Sequence, residues 1–113
     1  MSQHSLRFAD PDLQAAFVRK VQAAGAPHSI GGGGEVLSDP EFWGQVNAAA
    51  HEVRDSCFPW FFMWSDTPEG SSAFAERLRR SGLPFHVEYH RDRQVFLLAK
   101  QHRQQYETLH GEG

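Results

Sequence analysis

Seven histidines, fourteen carboxylates and one cysteine, Cys57, are the side chains of this 113-residue chain able to do acid–base, nucleophilic or metal chemistry, and their spacing decides how much of it is open to them. His86 and His90 stand four apart in Phe85-His86-Val87-Glu88-Tyr89-His90, whose alternation of apolar and polar residues is that of a strand. On a strand four residues span roughly 13 Å at about 3.3 Å each, too far for one metal ion to bridge. His51 precedes Glu52 without the second histidine of a zinc-protease motif, and Cys57 has no partner cysteine. No metal or other cofactor is expected. Cys57 leads into Phe58-Pro59, an apolar setting that favours an inert thiol over a nucleophilic thiolate. No serine or cysteine stands in a privileged relation to a histidine and an acid, so the chain is not expected to be an enzyme. An enzyme would have to use His86, Glu88 or His90, in a concave pocket that perturbs their protonation.

Binding chemistry is better represented. Gly31-Gly32-Gly33-Gly34 puts four backbone N–H groups in a row, as phosphate loops do, but Glu35-Val36-Leu37 follows as a strand and no Lys-Ser or Lys-Thr pair opens a helix there. The run is expected to be a hairpin loop without ligand. Trp60-Phe61-Phe62-Met63-Trp64 is apolar throughout; extended, it points Trp60, Phe62 and Trp64 one way and Phe61 and Met63 the other. It is either a strand covered on both faces or one whose second face is a partner surface. Segment 85–90 has an apolar side, Phe85, Val87 and Tyr89, and a polar side, His86, Glu88 and His90. If the polar side lies on an open face beside Trp60, Phe62 and Trp64, the result is aromatic anchors with a polar rim, as in protein interfaces. Asp39, Glu41, Asp66 and Glu69 sit at helix starts, where capping and the helix dipole account for them. Chain direction also brings these four to one end of the sheet, as an acidic edge fit for a cationic surface, with Asp10, Asp12, Glu52 and Asp55 at the other.

The elements that position these groups repeat. Asp10-Pro11-Asp12-Leu13-Gln14-Ala15-Ala16-Phe17 returns in character 57 residues later as Thr67-Pro68-Glu69-Gly70-Ser71-Ser72-Ala73-Phe74, and the same offset pairs Gly25 with Gly82, Pro27 with Pro84 and Ile30 with Val87. Pro at a first helical position, Phe on the buried stripe and Gly at the end form the grammar of a capped amphipathic helix. The pattern predicts strands over 5–9, 27–30, 35–38, 60–64, 85–90 and 94–100. Helices are predicted over 11–24, from 39–40 to about 56, from 67–68 to 81, and, polar and weakly anchored, over 101–109; residues 91–93 are the last hairpin turn. The expected fold is an α/β (α+β) two-layer sandwich built on an internally duplicated β-α-β-β-α unit. Its first six elements have ferredoxin-like order, and the pseudo-repeats cover about 4–57 and 58–110 of a single domain, 1–113.

With 40% hydrophobic and 22% charged residues the chain is too apolar for disorder and too interrupted for a membrane span. Its net charge of −3 argues against direct binding of nucleic acid. One cysteine and an N-terminus without a basic and then apolar run lead us to expect a cytoplasmic protein. In size, charge, layout and openings such as Leu6-Arg7-Phe8-Ala9-Asp10-Pro11-Asp12-Leu13, the chain resembles bacterial immunity proteins of contact-dependent growth inhibition systems. The resemblance implies a protein that binds one cognate basic toxin, such as a nuclease, and neutralises it by covering its active or substrate-binding site. Asp39, Glu41, Asp66, Glu69, Trp60, Phe62, Trp64, His86, Glu88 and His90 are the expected partner-binding residues. The alternative is a small-ligand-binding regulatory domain of duplicated ferredoxin-like type.

Overall fold

Helix α1 (Pro11–Ala24) starts where Asp10 accepts hydrogen bonds from the Asp12 and Leu13 amides and ends where Gly25 turns left-handed at φ 70°. Helix α3 (Pro68–Ser81) repeats the device, with Thr67 accepting from the Gly70 amide and Gly82 at φ 75°. Both are 14 residues long and open on proline, whose missing N–H has no intrahelical partner to lose. These features belong to a computed structural model that describes residues 3–91 and 93–111. Asp92, expected in the last turn, lies outside the described residues.

The described chain is compact α+β, with four helices and one six-stranded antiparallel sheet. The strands are β1 (His4–Phe8), β2 (Ser29–Ile30), β3 (Val36–Ser38), β4 (Trp60–Met63), β5 (Phe85–His90) and β6 (Arg93–Ala99), in the order β2-β3-β1-β5-β6-β4. The second helix is shorter than expected: a 3-10 turn, Pro40–Phe42, precedes α2 (Trp43–Asp55). A matching turn, Lys100–His102, precedes α4 (Arg103–Gly111). This last helix is firmly anchored, contrary to expectation. Tyr106 is fully buried, donates to the Pro84 carbonyl at 2.6 Å and accepts from the Ala99 amide at 3.3 Å.

Two features of the expected architecture do not form. Ferredoxin-like order would set β4 beside β1, yet β5 takes that place and β4 lies at the far edge. The helices also cover both faces, so the fold is not a two-layer sandwich. The reason lies in the β1–β5 register, which sets Leu6 opposite His90 and Phe8 opposite Glu88. The apolar side of β1 thus shares a face with the polar side of β5. Leu6 and Phe8 pack under α1 and α2 with Val36, Phe17, Val21, Val46 and Val53, whereas the apolar side of β5 faces the other way, to α3 and α4. There Phe74, Leu78 and Tyr106 meet Phe96, Leu98, Phe61 and Met63. Strand β6 lies between these layers and is buried from Val95 to Ala99.

Each half nonetheless lays its third strand between its first and second. Leu6, Val36 and Ile30 stand abreast in the first half, and Met63, Phe96 and Val87 stand abreast in the second. Leu6 and Ile30 precede Met63 and Val87 by 57 positions, and Val36 precedes Phe96 by 60. Glycines 31–34 form the β2–β3 loop as expected, with left-handed backbone only at Gly34, φ 86°.

Phe17 meets Phe8 edge to face at 5.3 Å, and Phe74 meets Phe96 in the same way at 4.9 Å. Each ring is sealed from solvent. Phe17→Ala and Phe74→Ala are each expected to cost about 3–5 kcal/mol in urea unfolding. A loss under about 1 kcal/mol at either site would mean that its ring is not packed.

Candidate functional site

The face of the sheet under α1 and α2 carries a buried ion pair at its centre. Arg54, near the C-terminal end of α2, is 1% exposed, and Glu88, mid-strand in β5, is 0% exposed. Arg54 Nε donates to Glu88 Oε2 at 2.9 Å and a terminal nitrogen donates to Oε1 at 2.6 Å, a bidentate fork. Three rings surround the guanidinium: Phe62 at 4.9 Å, Trp60 at 5.4 Å and Phe8 at 5.9 Å to their centroids. Its other terminal nitrogen donates to Asn47 Oδ1 at 3.4 Å and to His51 Nδ1 at 3.2 Å. His90 Nε2 donates to Glu88 Oε1 at 2.9 Å, because a carboxylate only accepts. Burial alone would raise the Glu88 carboxyl, but the hydrogen bonds from His90 and Arg54 and their charges outweigh it and hold the group below the usual carboxylate range.

Beside this pair the face opens into a groove of about 570 Å³, lined by Phe62, Trp64, His90, Arg91, Arg93 and Val95. Phe62 packs edge-on to His90 at 5.7 Å and against Trp60 at 4.9 Å. Trp60 stacks on His51 at 5.3 Å and donates from Nε1 to Asp55 at 2.8 Å. Trp64 is 46% exposed, with the Arg93 guanidinium 5.9 Å from its ring centroid. The outer side of β4 borders this region, and no described backbone group pairs with it from 60 to 63.

Six of the expected residues, Trp60, Phe62, Trp64, His86, Glu88 and His90, are thus brought to one side of the sheet by the β4–β6 and β5–β6 registers. Glu88 is fully buried with both oxygens bonded and so lies beneath the open surface, whereas His86 is half-buried and stacks on Phe58 at 6.0 Å. The carboxylates are not gathered as expected. Asp39, Glu41, Asp66 and Glu69 are exposed and lie at the same end of the sheet, but α2 and α3 start on opposite faces. Strands β3 and β4, which lead to them, are four places apart, roughly 19 Å at the usual strand spacing. Asp39 makes no cap bond, and Thr67 rather than Asp66 caps α3.

Arg54, Arg91 and Arg93 border this region without being among the expected site residues; the sequence suggests Arg54 only as a neutralising charge near Glu52 and Asp55, and Arg91 and Arg93 only as a turn. Arg54 falls four residues after Ala50 and eight after Val46, both buried, so the stripe itself signals a buried charge. Cys57 is half-buried, donates to the Val53 carbonyl at 3.5 Å, and has its thiol pushed up by burial, away from the reactive thiolate. Among the described residues no three His, Cys, Asp or Glu side chains converge as a metal site requires.

Comparison with protein-family models, curated proteins and solved structures finds no match to this chain.

Arg54→Met alone strands the Glu88 carboxylate and is expected to cost about 3–5 kcal/mol, whereas Arg54→Met with Glu88→Leu should recover most of that loss. The Glu88 carboxyl is depressed in the fold, so its contribution is complete above the range of a free glutamate, roughly pH 4.3. It is lost as pH falls through the lower native value. Urea midpoints measured against pH should show this acid-side loss in the wild type, and the double variant should lack that component.

Proposed function

We propose that the protein acts by binding, as an immunity-type inhibitor in the cytoplasm that neutralises a cognate basic toxin by covering its active or substrate-binding site. The observation that carries this reading is β4: an edge strand with half-buried aromatic side chains on both sides and an unpaired outer backbone, next to an open aromatic groove. Natural proteins usually blunt such edges, and an unblunted one is a ready site for strand addition by a partner. Trp60, Phe62 and Trp64 supply the anchors on the side of the groove, while Phe61 and Met63 fix the strand to the core beneath α3 and α4.

The exposed carboxylates Asp39, Glu41, Asp66 and Glu69 act at longer range. Two separated acidic clusters at one end of the molecule favour approach of a basic surface without having to enter the contact. No helix of the described chain is long and apolar enough to cross a membrane. The protein is not a catalyst in this reading, since Glu88 is locked between Arg54 and His90 and the Cys57 thiol is held protonated.

The fold arose, we further propose, by duplication of one β-α-β-β-α unit. The two capped 14-residue helices, the matched 3-10 turns and the abreast triads Leu6-Val36-Ile30 and Met63-Phe96-Val87 support this.

The product encoded beside this gene provides the test. Expressed alone it should arrest growth, and co-expression of this chain should rescue growth through a stable complex. Backbone amides of 60–63 should gain protection from hydrogen exchange in that complex, and Glu41→Gln with Glu69→Gln should slow association at low salt while leaving the melting temperature in place. A harmless neighbour that forms no complex would defeat the inhibitor reading; a complex without new protection at β4 would move the contact elsewhere.

A further inference from the structure

We infer that the groove between β4 and the β5–β6 turn binds a small phosphomonoester carried on a planar ring, of the kind of a nucleoside monophosphate. This is a property of the isolated chain and does not rest on the inhibitor reading; because Phe62 and Trp64 are also the proposed partner anchors, a partner bound at β4 would exclude the ligand. Its first support is charge. Arg91 and Arg93 form the rim, and in a chain with fourteen Asp and Glu residues neither has an ion pair with any described residue. No described carboxylate lines the groove; Arg91 also borders a second groove with Glu35, without an ion pair to it. Asp66 shares a neighbouring groove with Arg93, again without an ion pair, and Asp92 lies outside the described residues. Two guanidinium forks match the oxygens of a phosphomonoester, which carries about two negative charges near neutral pH; a carboxylate would neutralise only one of the two cations.

Backbone conformation is the second support. His90 pairs with Arg93, so the hairpin loop has two residues, a geometry that favours Asn or Gly because it calls for positive φ. Arg91 adopts it at φ 59°, the only described residue other than glycine to do so. An arginine held where asparagine would be relaxed points to a use for its side chain at that place.

The floor supplies the third. Phe62 and Val95 form an apolar base, and the half-exposed ring of Trp64 stands beside the Arg93 guanidinium. Together they make a stacking platform next to cations, which suits a planar ring with an anionic tail. The groove volume of about 570 Å³ lies within the range of small-molecule sites. His90 completes the rim: its Nε2 is tied to Glu88, and Nδ1 is the ring nitrogen the fold does not use. A polynucleotide fits less well, because Asp39, Glu41, Asp66 and Glu69 occupy the same end of the sheet and would repel flanking phosphates.

Titration of the full chain with adenosine 5′-monophosphate, adenosine, inorganic phosphate and a single-stranded oligonucleotide tests the inference, read by tryptophan fluorescence and by amide shifts over 90–95. The monophosphate should bind about tenfold or more tightly than adenosine or phosphate alone. Arg91→Gln with Arg93→Gln should weaken it at least about tenfold with an unchanged circular dichroism spectrum. Arg91→Asn is the sharper variant, because it should keep or raise the melting temperature while weakening the monophosphate. Monophosphate binding no tighter than phosphate or adenosine, undiminished affinity in the double variant, or tighter binding of the oligonucleotide would each overturn the inference.

Discussion

The Arg54–Glu88 pair ties the two halves of this protein together. Arg54 comes from the last helix of the first half, Glu88 from the middle strand of the second, and neither has access to water. Burial of two charges is costly and is offset only by good geometry, which the bidentate fork, the His90 bond and the three surrounding rings provide. The geometric demand is strict. A one-residue slip of β5 against β1 would turn Glu88 to the other face, among Phe74 and Phe96, and leave both charges unpaired.

That register carries the rest of the architecture with it. Once the polar side of β5 lies beside the apolar side of β1, the apolar side of β5 must find its cover on the opposite face. The four helices therefore divide into two pairs, one on each face, and each pair covers its own half of the sheet. The uncovered remainder on the α2 side, beyond the ion pair, is the groove between β4 and the β5–β6 turn. Open surface here is a consequence of how the halves are joined, and it is where aromatic rings, arginines without an ion pair to any described residue and the outer edge of β4 come together.

Buried polar groups and open surface thus have one origin. Glu88 and His86 look equivalent to His90 in the sequence, since all three alternate with Phe85, Val87 and Tyr89. Assembly separates their roles: Glu88 is sealed beneath Arg54, His86 is stacked on Phe58, and His90 reaches the groove while bonded to Glu88. One carboxylate held ionised beneath the groove's histidine links the stability of the joint to the chemistry of the surface.

The sequence by itself determined what is local. Asp10, Thr67, Pro11, Pro68, Gly25 and Gly82 act within a few residues of themselves, so α1 and α3 were legible to their last residue. Alternation in 85–90 told which side chains share a face, because that follows from the pleat of a single strand. The tertiary structure alone decided which strands are neighbours. Backbone pairing is nearly indifferent to the identity of the partner, so β5 rather than β4 lies beside β1 through the fit of whole side-chain faces and one buried ion pair. For the same reason the carboxylates Asp39, Glu41, Asp66 and Glu69, alike in sequence, ended on opposite sides of the sheet, and Arg91 and Arg93, which read only as a turn, became the rim of a groove.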